Sequence, residues 1–215
     1  MRWIVAGFSL ALAVLAAAPA SAKPSHRYPP IDECSKVPGA AAFRASLAKA
    51  VRQRDSRALL ALTAKDIKLD FGGGGGTAEL RKRLVSREGR KLWRALADLL
   101  PLGCTYRNRS LVMPSLFSQE FTDVDPMTVF LVTGKSVPMH AGAEARSRVV
   151  ASLTWDLVAP VEGEEARGGY SKVRVLDSGK RGYVATAKLR SPIDYRIIAT
   201  KKRGRWLIEM FVAGD

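Results

Sequence analysis

The hydrophobic periodicity of this 215-residue chain changes once, near residue 130, and that change limits the architectures open to it. Upstream, apolar side chains recur at helical spacing; downstream they fall into short runs cut by turn residues, the pattern of small antiparallel sheets. Ala40 to Arg54 sets Phe43, Leu47, Ala50 and Val51 on one stripe, with Arg44, Lys49, Arg52 and Arg54 opposite. Asp55 is the expected N-cap of a second short helix ending at Leu62. Ile67 to Phe71 alternates like a half-buried strand, Gly72 to Gly76 follow, and Thr77 to about Val85 reads as a helix. Glu88 to Leu100 aligns Leu92, Trp93, Leu96, Leu99 and Leu100 on one face, with Arg90, Lys91 and Arg94 opposite. Pro101 and Gly103 end that helix. Residues 105–125 predict irregular chain or short strands, and Met127 to Thr133 a strand.

The chain closes on a hairpin: Tyr195 to Thr200, a basic turn at Lys201 to Arg205, then Trp206 to Val212. A lone two-stranded hairpin is marginal in water. It is therefore expected to return to the first half and pair near Ile67 to Phe71, making the segment between them an insertion. The expected fold is α+β, with a leader at 1–22 and a helical unit with a short strand at 23–130. A small β unit at 131–192 and the returning hairpin at 193–215 complete it. The order of helices, strand, helices and final hairpin is similar to that of NTF2-like domains, though fewer strands are legible than that family has.

Met1 to Ala22 reads as a secretory signal peptide. Arg2 supplies the positive start, Trp3 to Ala18 is unbroken by charge, and Ala20-Ser21-Ala22 offers the small residues of a cleavage site before Lys23. The apolar run of about 16 residues is shorter than the ~20 that span a bilayer. A periplasmic or secreted location is expected, with no membrane span after cleavage. Lys and Arg number 35 against 20 Asp and Glu; cleavage removes only Arg2, so 34 against 20 leaves +14. For an exported protein, this charge directs attention to anionic envelope polymers and lipid head groups rather than nucleic acid. Arg81, Lys82, Arg83, Arg87, Arg90, Lys91 and Arg94 are the densest basic series, and they define an anion- or lipid-binding alternative.

Cys34 and Cys104 are the only cysteines. In an oxidising compartment an even count predicts a disulfide; the rival reading is a thiol nucleophile with His26 or His140 as base. Two Cys and two His without ligand spacing predict no metal site, and no cofactor motif is present. The glycine run lacks the Gly-Lys-Ser/Thr of a nucleotide loop, because Gly76 is followed by Thr77-Ala78, so it reads as a turn. Asp66, Asp70 and Glu79 show no spacing diagnostic of paired acid and base.

Ser136 to Glu144 is similar to the opening segment of bacterial SH3 domains, and Arg148 to Val158 resembles their second and third strands. Gly169-Tyr170-Ser171-Lys172-Val173-Arg174-Val175 resembles the following strand, and Asp177 to Ala185 with Lys188-Leu189-Arg190 the closing hairpin. His140, Ala143 and Tyr170 stand where that family usually has Arg, Pro and Trp. The resemblance implies a small β-barrel that binds cell-wall peptide or glycan, or an envelope protein, and does not catalyse. It implies a groove drawn from His140, Trp155, Tyr170 and Tyr183, unless Trp155 and Tyr183 fill the barrel's core. The expected function is that of a non-enzymatic envelope binding protein; the alternative is a wall hydrolase or an NTF2-like pocket enzyme.

Overall fold

A computed structural model describes residues 25–121 and 123–214. The leader expected at Met1 to Ala22 lies outside the described residues. Among those described, no helix is long and apolar enough to cross a membrane.

The first unit begins with α1 (Ala40–Gln53) and α2 (Ser56–Ala61). Arg54, at φ 51°, ends α1, and Asp55 accepts the Ala58 N–H at 2.9 Å, so the expected cap starts α2. Next come β1 (Thr63–Lys68), α3 (Gly76–Val85) and α4 (Gly89–Leu99), then the short strands β2 (Thr105–Arg107) and β3 (Ser110–Met113). The second unit holds β4 (Phe130–Val132), β5 (Val137–His140), β6 (Val149–Leu153) and β7 (Leu157–Pro160). It continues through β8 (Tyr170–Val175), β9 (Arg181–Ala185) and β10 (Leu189–Arg190). The chain then returns as β11 (Arg196–Lys202) and β12 (Arg205–Val212).

The returning hairpin organises the first sheet, whose order is β1-β12-β11-β3-β2. Here β1 runs parallel to β12, with Thr63 opposite Ile208 and Lys68 opposite Met210, and the remaining pairs are antiparallel. The helices lay Phe43, Leu47, Leu80, Trp93 and Leu96 against Leu111, Ile197, Ile208 and Phe211 to form the larger core. Trp206 Nε1 donates to the Pro38 carbonyl at 3.1 Å, fixing β12 to the chain entering α1.

Two local expectations shift. The strand expected at Ile67 to Phe71 lies earlier, because pairing with β12 sets its register: the Ile208 N–H donates to the Leu62 carbonyl at 2.8 Å. The hairpin turn shrinks to Arg203 and Gly204, both at positive φ, while Lys201, Lys202 and Arg205 join the strands.

The second sheet has the order β10-β4-β7-β8-β9-β5-β6 and is antiparallel throughout. It curls enough for Val132 of β4 and Leu153 of β6 to share one core with Met139, Val158, Val173 and Val184. The expected closed barrel is not formed: among the described residues the sheet stays open. Both residues of β10 are spent on β4, β6 pairs only with β5, and no ladder joins the two ends. Gly182 is required at the bend, since a Cβ there would lie 2.7 Å from Met139 Cγ and 2.8 Å from the His140 carbonyl oxygen. Gly182→Ala is expected to cost about 1–3 kcal/mol through overpacking. A thermal unfolding midpoint equal to that of the parent would contradict this.

An N-terminal arm, residues 26–33, ties the two units together. The Tyr28 N–H donates to Trp155 O at 2.9 Å and the Cys104 N–H to Ile31 O at 2.8 Å. Buried Asp156 accepts from Arg27 Nε at 2.9 Å. The arm ends in the Cys34–Cys104 disulfide, whose Cα atoms lie 5.7 Å apart.

Candidate functional site

Strand alternation in the second unit puts Val173 and Val175 of β8, and Gly182 and Val184 of β9, toward the core. Tyr170, Lys172 and Tyr183 therefore stand on the outer face. His140, at the end of β5, pairs across the ladder with Tyr183. Its ring meets that of Tyr170 edge to face, with centroids 5.8 Å apart. His140 Nδ1 lies 2.8 Å from the Ser147 carbonyl. A carbonyl only accepts, so Nδ1 carries a proton and the hydrogen bond fixes the ring's orientation. Lys172 Nζ lies 5.7 Å over the Tyr183 ring and donates to Glu164 Oε1 at 2.6 Å, a hydrogen bond that raises the Lys172 pKa.

Beside this cluster is a groove of about 440 Å³, floored by His140 and Tyr170 and edged by Lys135, Pro138 and Lys188. All its lining residues come from the second unit, so the first unit does not cover it. Three of the four residues expected in a groove are thus neighbours. His140 itself is 5% exposed, a ring held in place by its hydrogen bond rather than one standing free. Trp155 is elsewhere. It sits at φ 56°, packs among Leu116, Val129, Leu131 and Leu157 at the junction of the units, and its buried Nε1 has no acceptor among the described residues.

Trp155 also lines a cleft of about 640 Å³ between α4 and the 187–195 segment. A neighbouring cavity of about 620 Å³ extends along α4, and the two share Arg94, Asp98, Arg190 and Asp194. The sequence places Arg190 only in the closing hairpin and not in a site; a β10 residue gives no local signal that folding will bury it beside a helix some 90 residues earlier.

Several groups named for the alternative chemistries are engaged by internal partners. Both cysteines are consumed by the disulfide, which removes the thiol nucleophile. The glycine run is a turn: the Leu69 N–H donates to Gly74 O at 2.9 Å, and Asp70 accepts the Gly74 N–H at 2.7 Å. The chain's own carboxylate thus occupies the position an anion would take there. Arg83 holds both Asp70, at 2.6 Å, and Glu79, at 2.9 Å. The hydrogen bond from Arg83, then that from Gly74, keeps the Asp70 carboxyl below the usual range, the wrong direction for a general acid. Among the described residues no group of acidic, His or Cys side chains could hold a metal ion.

Among the described residues, these elements define an α+β fold with four α-helices and two largely antiparallel sheets. No family model matches the chain, and no curated protein matches it. Two solved structures align over most of its length. A five-substitution variant named Rd1NTF2_05 is 13% identical, with 81% of this chain and 96% of that one covered and a TM-score of 0.28. A protein of unknown function with a cystatin-like fold from Nostoc punctiforme is 12% identical, with 80% and 85% covered and a TM-score of 0.24.

Proposed function

We propose that this chain is an exported, non-enzymatic binding protein of the cell envelope, and that its curled β unit recognises cell-wall peptide or glycan at the His140–Tyr170 groove. The observation that supports this reading best is the groove itself: an aromatic edge-to-face pair on its floor, no covering from the first unit and no carboxylate in its lining. Aromatic floors suit the apolar faces of sugars and short peptides. Without a carboxylate the groove has no acid–base pair for glycoside hydrolysis. The resemblance of the segment to bacterial SH3 domains points the same way.

Sedimentation of the mature protein with purified peptidoglycan at moderate salt tests the reading. Tyr170→Ala is expected to lower apparent affinity about tenfold, as loss of an aromatic anchor does, with circular dichroism unchanged. No sedimentation of the parent, an unaltered Tyr170→Ala isotherm, or equal binding to any polyanion that fades smoothly with salt would each overturn it.

A further inference from the structure

The cleft between α4 and the 187–195 segment carries a second inference, independent of the aromatic groove. Its two cavities are lined by Arg87, Arg90, Lys91, Arg94, Lys188 and Arg190, against Glu88, Asp98 and Asp194. Glu88 is engaged by Lys91 at 2.8 Å, and Asp194 by Arg190 at 3.3 Å. Arg87, Arg90, Arg94 and Lys188 have no ion pair among the described residues. Arg90 and Arg94 stand one turn apart, so their guanidinium groups share a helix face.

Arg190 distinguishes this cleft from an ordinary solvated basic surface. Its side chain is 8% exposed, and it sits in the wall common to both cavities. Burial pushes its pKa below the ordinary value, partly offset by Asp194 and Asp98. Its Nη2 donates to the Tyr195 carbonyl at 2.6 Å, which uses part of the donor fork. Asp194 and Asp98 share this wall with Arg190, yet the unpaired Arg87, Arg90, Arg94 and Lys188 outnumber them, so the cleft keeps an excess of positive charge that draws an oxyanion.

We infer that this cleft binds a multivalent phosphate ligand, with Arg190 at its base and Arg90, Arg94 and Lys188 around its mouth. Phosphate chemistry fits because separate cations on successive helical positions need several acceptor oxygens on one ligand, and guanidinium groups meet phosphate through paired hydrogen bonds. Trp155, in the same wall, provides an intrinsic fluorescence reporter.

The test titrates inorganic tripolyphosphate into the mature protein at constant ionic strength, followed by calorimetry and tryptophan fluorescence. Saturable binding is expected, weakened about tenfold by Arg94→Gln and unchanged by Arg52→Gln on the exposed face of α1. Tyr170→Ala should also leave it unchanged, which separates this site from the groove. Equal weakening by Arg52→Gln, equal affinity for citrate, or no saturation would overturn the proposal. Displacement of tripolyphosphate by phosphatidylglycerol vesicles would support the site with a lipid headgroup as the phosphate source. Failure of the vesicles to displace it would support a soluble or polymer-borne phosphate.

Discussion

Replacing Cys34 and Cys104 together by serine is expected to remove about 4 kcal/mol of stability, the chain-entropy value for a loop of this size. The bridge joins residues 70 apart in sequence. It pins the arm beside β2, where Glu33 N–H donates to Cys104 O at 2.9 Å and Arg107 pairs with Glu33. Without it the arm must be held by its remaining contacts, so its entropy in the unfolded chain rises while little new order is gained. The thermal midpoint should fall by on the order of 10 °C for a protein of this size. Both cysteines are fully buried. A mild reductant is therefore expected to leave the folded protein oxidised, and to open the bridge only when denaturant is added. Thiol counting during a urea titration, paired with calorimetry of the double variant, checks both parts. An unchanged midpoint would show that the arm is held without the bridge.

Ile208→Ala is the second large effect expected, at about 2–5 kcal/mol for a truncated buried isoleucine. Ile208 is 1% exposed in β12, the strand that has β1 on one side and β11 on the other. Its side chain belongs to the main core, and its N–H bonds Leu62 O across the parallel pair. A cavity there weakens the contact between the last strand of the chain and the first. Because the arm and the packing of Trp155 with Leu116, Val129, Leu131 and Leu157 couple the two units, one cooperative urea transition is expected, displaced to lower denaturant with its slope retained. A loss below about 1 kcal/mol would show that β12 is not central to the core, and a split transition would show that the two units unfold separately.

Much of the first unit was legible because its signals are local. The stripe through Phe43 and Leu47, the Asp55 cap and the Pro101-Gly103 stop act within a turn or two of chain. The glycine turn was also readable, since the missing Lys excluded a nucleotide loop. The disulfide could be expected because only one pairing of two cysteines exists. The return of the hairpin followed from its inability to stand alone in water. In the second unit, the short strands cut by turn residues were visible because those signals are local too.

The open state of the second sheet was not legible, because closure depends on whether its two end strands find each other, and no local residue encodes that. The same holds for β1, whose register is set by Ile208 about 140 residues later rather than by the alternation of Ile67 to Phe71. Trp155 was grouped with His140, Tyr170 and Tyr183 from the resemblance, yet packing takes it to the junction of the units.

By itself, the sequence determined the helical stripes and their ends, the cysteine pair and the change to short strands in the second half, because each depends on neighbours along the chain. The tertiary structure alone decided that the sheet stays open, that the arm laces both units and that Arg190 is buried opposite Arg94. Those outcomes depend on which distant surfaces meet, and solvent exclusion at such meetings is a property of the assembled core rather than of any segment.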